Sequence, residues 1–127
     1  MKTVREIYRR SLSLMGESEG ENSAVFEDKI TNLVNVLLAE VYDLELALKG
    51  KADEVPSTVF QVSSPDEEIW LEERLVFSLL PLGLASYLLG ETEPERAAYF
   101  RELYRQERDH LRALSRKGRR HKIQRPY

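Results

Sequence analysis

Apolar residues recur every three or four positions over four stretches of the chain, which is the spacing of one face of an α-helix. The first stretch starts at Thr3 and Glu6, whose T-x-x-E spacing is typical of a capping box, and ends at Gly16. The second follows a cap at Asn22 or Ser23 and continues to Gly50. Its strong period predicts a core helix of about six or seven turns, with three acids off the apolar stripe: Glu40, Asp43 and Glu45.

Residues 50–64 include Pro56 and several β-formers, and they predict a long connector with one short extended piece. The run Ser64-Pro65-Asp66-Glu67 then has a capping serine, a proline at the first helical position and acids in the first turn, so a third helix should begin there. After residue 75 this helix is apolar on nearly every face. It should therefore be central, with a kink at Pro81 and an end at Gly90.

The fourth stretch repeats the capping pattern at Thr92-Glu93-Pro94-Glu95 and is amphipathic until it ends between Ser115 and Gly118. Residues 116–127 have no periodicity and predict an extended arm that a partner would order. The expected fold is all-α, with a bundle of about four helices over residues 1–115, a long second-to-third connector and an extended basic C-terminal arm. A length of 127 residues agrees with one such domain.

The net charge of −3 combines two regions of opposite sign. Six of the 19 Lys and Arg residues lie in the arm, so residues 1–115 hold the other 13 together with all 22 acidic residues. The body is therefore −9 and the arm +6. This asymmetry predicts that the arm contacts a partner, through Arg116, Lys117, Arg119, Arg120, Lys122, Ile123, Arg125, Pro126 and Tyr127.

Little in the sequence points to catalysis or to a cofactor. The absence of cysteine excludes disulfides, thiolate zinc sites and cysteine nucleophiles. Glu107 and His110 form an E-x-x-H motif, but di-iron sites in helical bundles need two such motifs and a glutamate from each of two further helices; Glu40 could supply only one of these. We therefore expect His110 to be a packing or surface residue, with no metal, no cofactor and no enzymatic activity.

The location of the protein is constrained by two further patterns. The longest uncharged run is shorter than the roughly 20 apolar residues that cross a bilayer, so no membrane span is expected. The charged N-terminus lacks the apolar core of a secretion signal, which favours an intracellular protein. Three interpretations remain open for the arm: salt-dependent phosphate binding, insertion as a peptide into a partner's groove, and a solubilising end.

Two segments resemble small head-to-tail connector proteins of tailed phages and prophages. Leu80–Leu111, LPLGLASYLLGETEPERAAYFRELYRQERDHL, is similar to that family's Pro-x-Gly-Leu-Ala segment, acidic turn and Glu-Arg-Ala-x-x-Phe motif, with an aromatic residue soon after. Asn32–Leu48, NLVNVLLAEVYDLELAL, is similar to its Leu-x-x-Glu-x-x-Asp-Leu stretch. The order and size of the helices also agree, from the Tyr8 helix to about Leu114.

The resemblance implies a structural virion protein, an adaptor that forms a homo-oligomeric, dodecameric ring under the portal and links the capsid to the tail. The arm would dock on the portal protein, while residues 16–22 and 50–64 would contact ring neighbours or the downstream tail or stopper protein. Such a protein is found at the head-to-tail interface of the virion, and in the host cytoplasm during assembly. An acidic body would suit a conduit for DNA ejection, because like charges repel. The alternative function is a small helical nucleic-acid-binding module that uses the basic tail.

Overall fold

A computed structural model describes residues 1–17, 20, 24–50 and 60–123, without the side chains of residues 24–25 and 117–123. Four α-helices are arranged as the expected all-α bundle: α1 (Val4–Met15), α2 (Ala24–Leu48), α3 (Leu80–Leu89) and α4 (Pro94–Ile123). A π-helix at Leu75–Leu79 leads directly into α3. Within these ranges the only β-type pairing is a bridge between Thr3 and Glu68. None of the described helices is both long and apolar enough to span a membrane.

The first two helices follow the local signals in their sequence. The Thr3 hydroxyl caps α1 by accepting from the Glu6 backbone N–H at 3.2 Å, and Gly16 ends it with a φ of 74°. That left-handed conformation is one that glycine adopts without steric cost. The 25 residues of α2 make about seven turns, as predicted. Its expected caps, Asn22 and Ser23, lie outside the described residues.

The third helix does not begin at Ser64, so the capping prediction there is wrong. Residues 64–71 instead run alongside the N-terminus of α1, where the Ile69 N–H donates to the Lys2 carbonyl at 2.6 Å and the Arg5 N–H donates to Pro65 at 3.0 Å. Ile69 is buried while Trp70 is 68% exposed, an alternation typical of extended chain. Long-range backbone pairing satisfies the groups that a helix would have used.

A kink was predicted at Pro81, and the structure has a π-helix shortly before this residue, at Leu75–Leu79. The Leu80 N–H donates to the Leu75 carbonyl, one residue further back than in an α-helix, and Pro81 has no N–H to donate. The following helix, α3, contacts α1, α2 and α4, so its predicted central position is confirmed. The Pro81 carbonyl accepts a hydrogen bond from the buried Ser11 hydroxyl at 2.9 Å, which joins α3 to α1.

Glu45 was expected off the apolar stripe, but it is 2% exposed. One of its carboxylate oxygens accepts from the Glu72 backbone N–H at 2.8 Å, and the other lies 2.6 Å from Lys49 Nζ. The hydrogen bond with Glu45 raises the pKa of Lys49. Glu45 is buried because its carboxylate accepts a hydrogen bond from the chain that leads into the π-helix. The spacing of residues along α2 cannot predict this contact.

The fourth helix is longer than predicted, because α4 continues past Ser115 and Gly118 to Ile123. Residues 116–123 are therefore helical instead of extended. Arginine and lysine are good helix formers, and their charges complement the negative C-terminal end of the helix dipole; together these effects offset the cost of about 1 kcal/mol for one internal glycine. The last four residues, 124–127, lie outside the described part of the chain.

Candidate functional site

The predicted partner-binding residues lie at the C-terminal end of α4, beyond the bundle core. Leu111, 1% exposed, is the last fully buried residue among the described side chains, and Leu114 is already 36% exposed. Arg116 is exposed on the helix. The backbone of Lys117, Arg119, Arg120, Lys122 and Ile123 continues the helix, while Arg125, Pro126 and Tyr127 lie outside the described residues.

A line of arginines on α4 leads from the bundle to this end. They occupy positions three or four residues apart, which places them on one helix face: Arg101, Arg105, Arg108, Arg112 and Arg116. We call this set the arginine line. Of these five residues, only Arg116 was among the predicted partner-binding residues, although the spacing of all five can be read from the sequence. The basic arm therefore continues a pattern that starts inside the bundle domain.

Acidic neighbours neutralise part of the arginine line. Arg112 donates to Asp43 of α2 at 3.1 Å. Arg105 donates to Glu102 at 2.6 Å and to Asp109 at 3.4 Å within α4. The hydrogen bond from Arg105 lowers the pKa of Glu102. These pairs are exposed, so each contributes little to stability.

An open pocket of about 260 Å³ lies beside the arginine line, where α2, α3 and α4 meet. Leu37 and Ser86 form part of its wall. Its other lining residues are charged or phenolic: Glu40, Tyr87, Arg101, Tyr104, Arg105 and Arg108. Three helices thus contribute hydrogen-bonding groups to one concave site. Such convergence is typical of ligand pockets between the helices of bundles.

Tyr104 is the most buried aromatic side chain of this pocket, at 7% exposed. Its hydroxyl has no hydrogen-bond partner, and the guanidinium carbon of Arg108 lies 5.5 Å from the centroid of its ring. Burial, aided by the charge of Glu40, raises the pKa of Tyr104 far above its ordinary value, so the hydroxyl remains a protonated donor. A buried donor without an acceptor costs about 1–3 kcal/mol.

Tyr87 and Glu40 form the opposite side of the pocket. The Tyr87 hydroxyl lies 3.4 Å from each carboxylate oxygen of Glu40 and donates to them in a long, bifurcated hydrogen bond. Burial, followed by the charge of Glu40, raises the pKa of Tyr87. Tyr87 therefore also stays protonated at neutral pH and holds Glu40 toward α3.

Among the described residues, Glu107 and His110 of the E-x-x-H motif do not join a larger group of potential metal ligands. His110 is exposed, Glu107 is half-buried, and Glu40 is engaged by Tyr87. In the part of the chain that the structure describes, no group of three or more His, Asp or Glu side chains could hold a metal ion. His110 is thus a surface residue, one of the two environments predicted for it.

The residues that carry the family resemblance are mainly helix-packing residues. Gly83 allows α3 to approach α2 and α4, and Ala97 and Phe100 are buried under α3. Arg96 donates to the Met15 carbonyl at 2.6 Å, which ties the start of α4 to the end of α1. The motifs therefore explain how the bundle packs.

Comparison with known proteins adds no relative: no protein-family model matches the chain, and searches of curated proteins and of solved structures returned no match.

Proposed function

We propose that this protein is a structural virion protein, a head-to-tail adaptor that forms a ring under the portal of a tailed phage and links the capsid to the tail. The proposal is supported by the resemblance of Leu80–Leu111 and Asn32–Leu48 to that family. A helical bundle of this size and helix order is the architecture that the resemblance implies. In this role the protein resides in the virion, after assembly in the host cytoplasm.

The observation that carries the proposal is the length of α4. Its 30 residues extend about 45 Å, whereas the 10 residues of α3 extend about 15 Å. The residues that follow Leu111, from Arg112 to Ile123, continue the helix for about 18 Å past its last fully buried position. A basic helix that leaves its own core is suited to dock on another protein, and we assign the portal as that protein.

Contacts between copies in the ring would involve the segment before the π-helix. Trp70, the only tryptophan of the chain, is 68% exposed there, and aromatic residues are enriched at protein interfaces. The downstream tail or stopper protein would bind elsewhere on the ring. DNA would pass close to the ring without specific contacts, since residues 1–115 carry a net charge of −9.

A second function, nucleic-acid binding, is favoured by one observation, the arginine line. Its spacing would let several guanidinium groups follow a phosphate backbone. Glu40, Asp43, Glu102 and Asp109 lie against the same face and would repel phosphates. We therefore place this function second.

Binding to the portal and binding to DNA are separated by one pair of measurements. The adaptor proposal predicts that the full chain, co-expressed with its cognate portal protein, comigrates with portal rings in a density gradient at physiological salt. It also predicts weak affinity for duplex DNA at low salt. Two results together would support the second function and contradict the first. The chain would bind DNA tightly, and the logarithm of the binding constant would fall with the logarithm of the salt concentration at a slope of roughly −0.9 per phosphate contact. The portal rings would sediment without this chain.

A further inference from the structure

We infer that the exposed indole of Trp70 and the carboxylates around it form the docking surface for the basic arm, residues 116–127, of a second copy of this chain. Three observations support this contact: an exposed tryptophan, a surplus of carboxylates beside it, and a basic segment that contains no acid. The contact joins free copies and does not depend on the adaptor function. In an assembled ring, the portal would compete for the same arm.

Trp70 lies where the chain before the π-helix runs antiparallel to the N-terminus. The bridge between Thr3 and Glu68 sets a register that places Met1 opposite Trp70. These two side chains are 88% and 68% exposed, whereas the neighbouring Ile69 is fully buried. Ile69 therefore anchors the segment in the core, while Trp70 and Met1 present apolar surface to solvent. Tryptophan is among the residues that contribute most to binding at protein interfaces.

Carboxylates outnumber cations around this indole. Residues 66–73 include five acids and no Lys or Arg, and only Asp66 among those acids forms an ion pair with a described residue, Arg5. The charged groups that adjoin the segment or its ion pairs are two carboxylates and five cations: Glu27, Glu45, Lys2, Arg5, Lys49, Arg74 and the N-terminal amine. Seven carboxylates and five cations leave this surface at −2. Four unpaired carboxylates remain available to a basic partner: Glu67, Glu68, Glu72 and Glu73.

The arm has the complementary chemistry, because its six Lys and Arg residues are accompanied by no acid. Arginine pairs with carboxylates and also stacks on aromatic faces, of which the indole is the best platform. The chain itself uses such stacking where the guanidinium carbon of Arg10 lies 4.0 Å from the Phe77 ring centroid. An exposed indole among unpaired carboxylates therefore matches an arginine-rich segment.

A second copy, and not the same chain, is the expected source of the arm. Trp70 is 68% exposed although α4 of its own chain is helical to Ile123, so this helix leaves the indole open. The contact joins two unlike surfaces, and each copy has one of each. Copies can therefore add head to tail, as in rings and open chains.

The full-length chain tests this contact without a label, because Trp70 is its only tryptophan and the fluorescence of that residue reports directly on the surface. Sedimentation velocity over a dilution series at low ionic strength should show copies associating in the micromolar range. The Trp70 emission should shift to shorter wavelength in step with association. Both changes should disappear at about 1 M salt, which screens charges beyond roughly 3 Å. A salt-sensitive shift that does not depend on protein concentration would mean that the chain's own arm covers Trp70, and would overturn the assignment to a second copy.

The variant Trp70→Ala should weaken association by about tenfold or more, as expected for an aromatic residue at the centre of an interface. Its matched control is Tyr99→Ala, which removes an aromatic side chain of similar exposure, 62%, from α4 outside this surface and should leave association unchanged. A full-length variant with glutamine at all six Lys and Arg positions of the arm should remain monomeric. Absence of association by the unmodified chain, equal association of the two alanine variants, or association that persists in the glutamine variant would each overturn the inference.

Discussion

Replacing Gly83 with valine lowers the free energy of unfolding by about 3 kcal/mol, because the three-helix junction has no space for a side chain at this position. A Cβ atom on Gly83 would lie 2.6 Å from Leu37 Cδ2 and 3.0 Å from Tyr104 Cε2. Leu37 is fully buried, so its methyl group can move only by disturbing other core contacts. Urea unfolding followed by circular dichroism measures the loss.

Gly90→Val is the matched control for this prediction. A Cβ atom at Gly90 would meet only the Tyr87 and Ser86 carbonyl oxygens, at 3.4 and 3.6 Å, which are ordinary contacts. The change should remain within about 1 kcal/mol. Equal losses at Gly83 and Gly90 would mean that intrinsic helix preference, and not the close approach of α2 and α4, explains the effect.

If the arm docks on the portal as proposed, deleting residues 116–127 should abolish binding to the portal and leave the bundle folded. The deletion removes the basic end of α4 but no side chain of the described core, whose last fully buried member on α4 is Leu111. The free energy of unfolding should therefore change by no more than about 1 kcal/mol. The measurement compares the amounts of truncated chain and of full chain that comigrate with portal rings in a density gradient.

A full-length variant with glutamine at all six Lys and Arg positions of residues 116–125 separates charge from chain length. Glutamine also favours helix, so α4 is expected to persist. If arginine and lysine pair with acidic residues of the portal, this variant should lose most of the binding. Undiminished portal binding by the truncated chain would refute the assignment of the arm.

The parts of the fold that were predicted correctly depend on signals within a few residues of each other. Thr3 and Gly16 cap the two ends of α1, and the long apolar period of α2 predicts a helix without reference to the helices that pack on it. The start at Ser64 failed because the competing interaction is distant in sequence: the chain at Ile69 pairs with Lys2 instead. The same reason applies to Glu45, which is buried by a contact with Glu72.

Only some features of the candidate site can be read from the sequence. The spacing of the arginine line was visible, and so was the concentration of charge after Arg116. The pocket was not, because it depends on the rotation of three helices about their axes, which brings Glu40, Tyr87 and Tyr104 together. The unpartnered hydroxyl of Tyr104 is likewise a property of packing. The sequence therefore contains the spacing of the arginines, whereas the pocket depends on how the helices pack.

The adaptor function is tested most directly by cryo-electron microscopy of the virion neck. The account predicts a ring of this four-helix fold between the portal and the tail, with the C-terminal end of α4 in contact with the portal. A neck map of an intact virion in which the portal joins the tail through other proteins, with this chain absent from the purified particles, would contradict it.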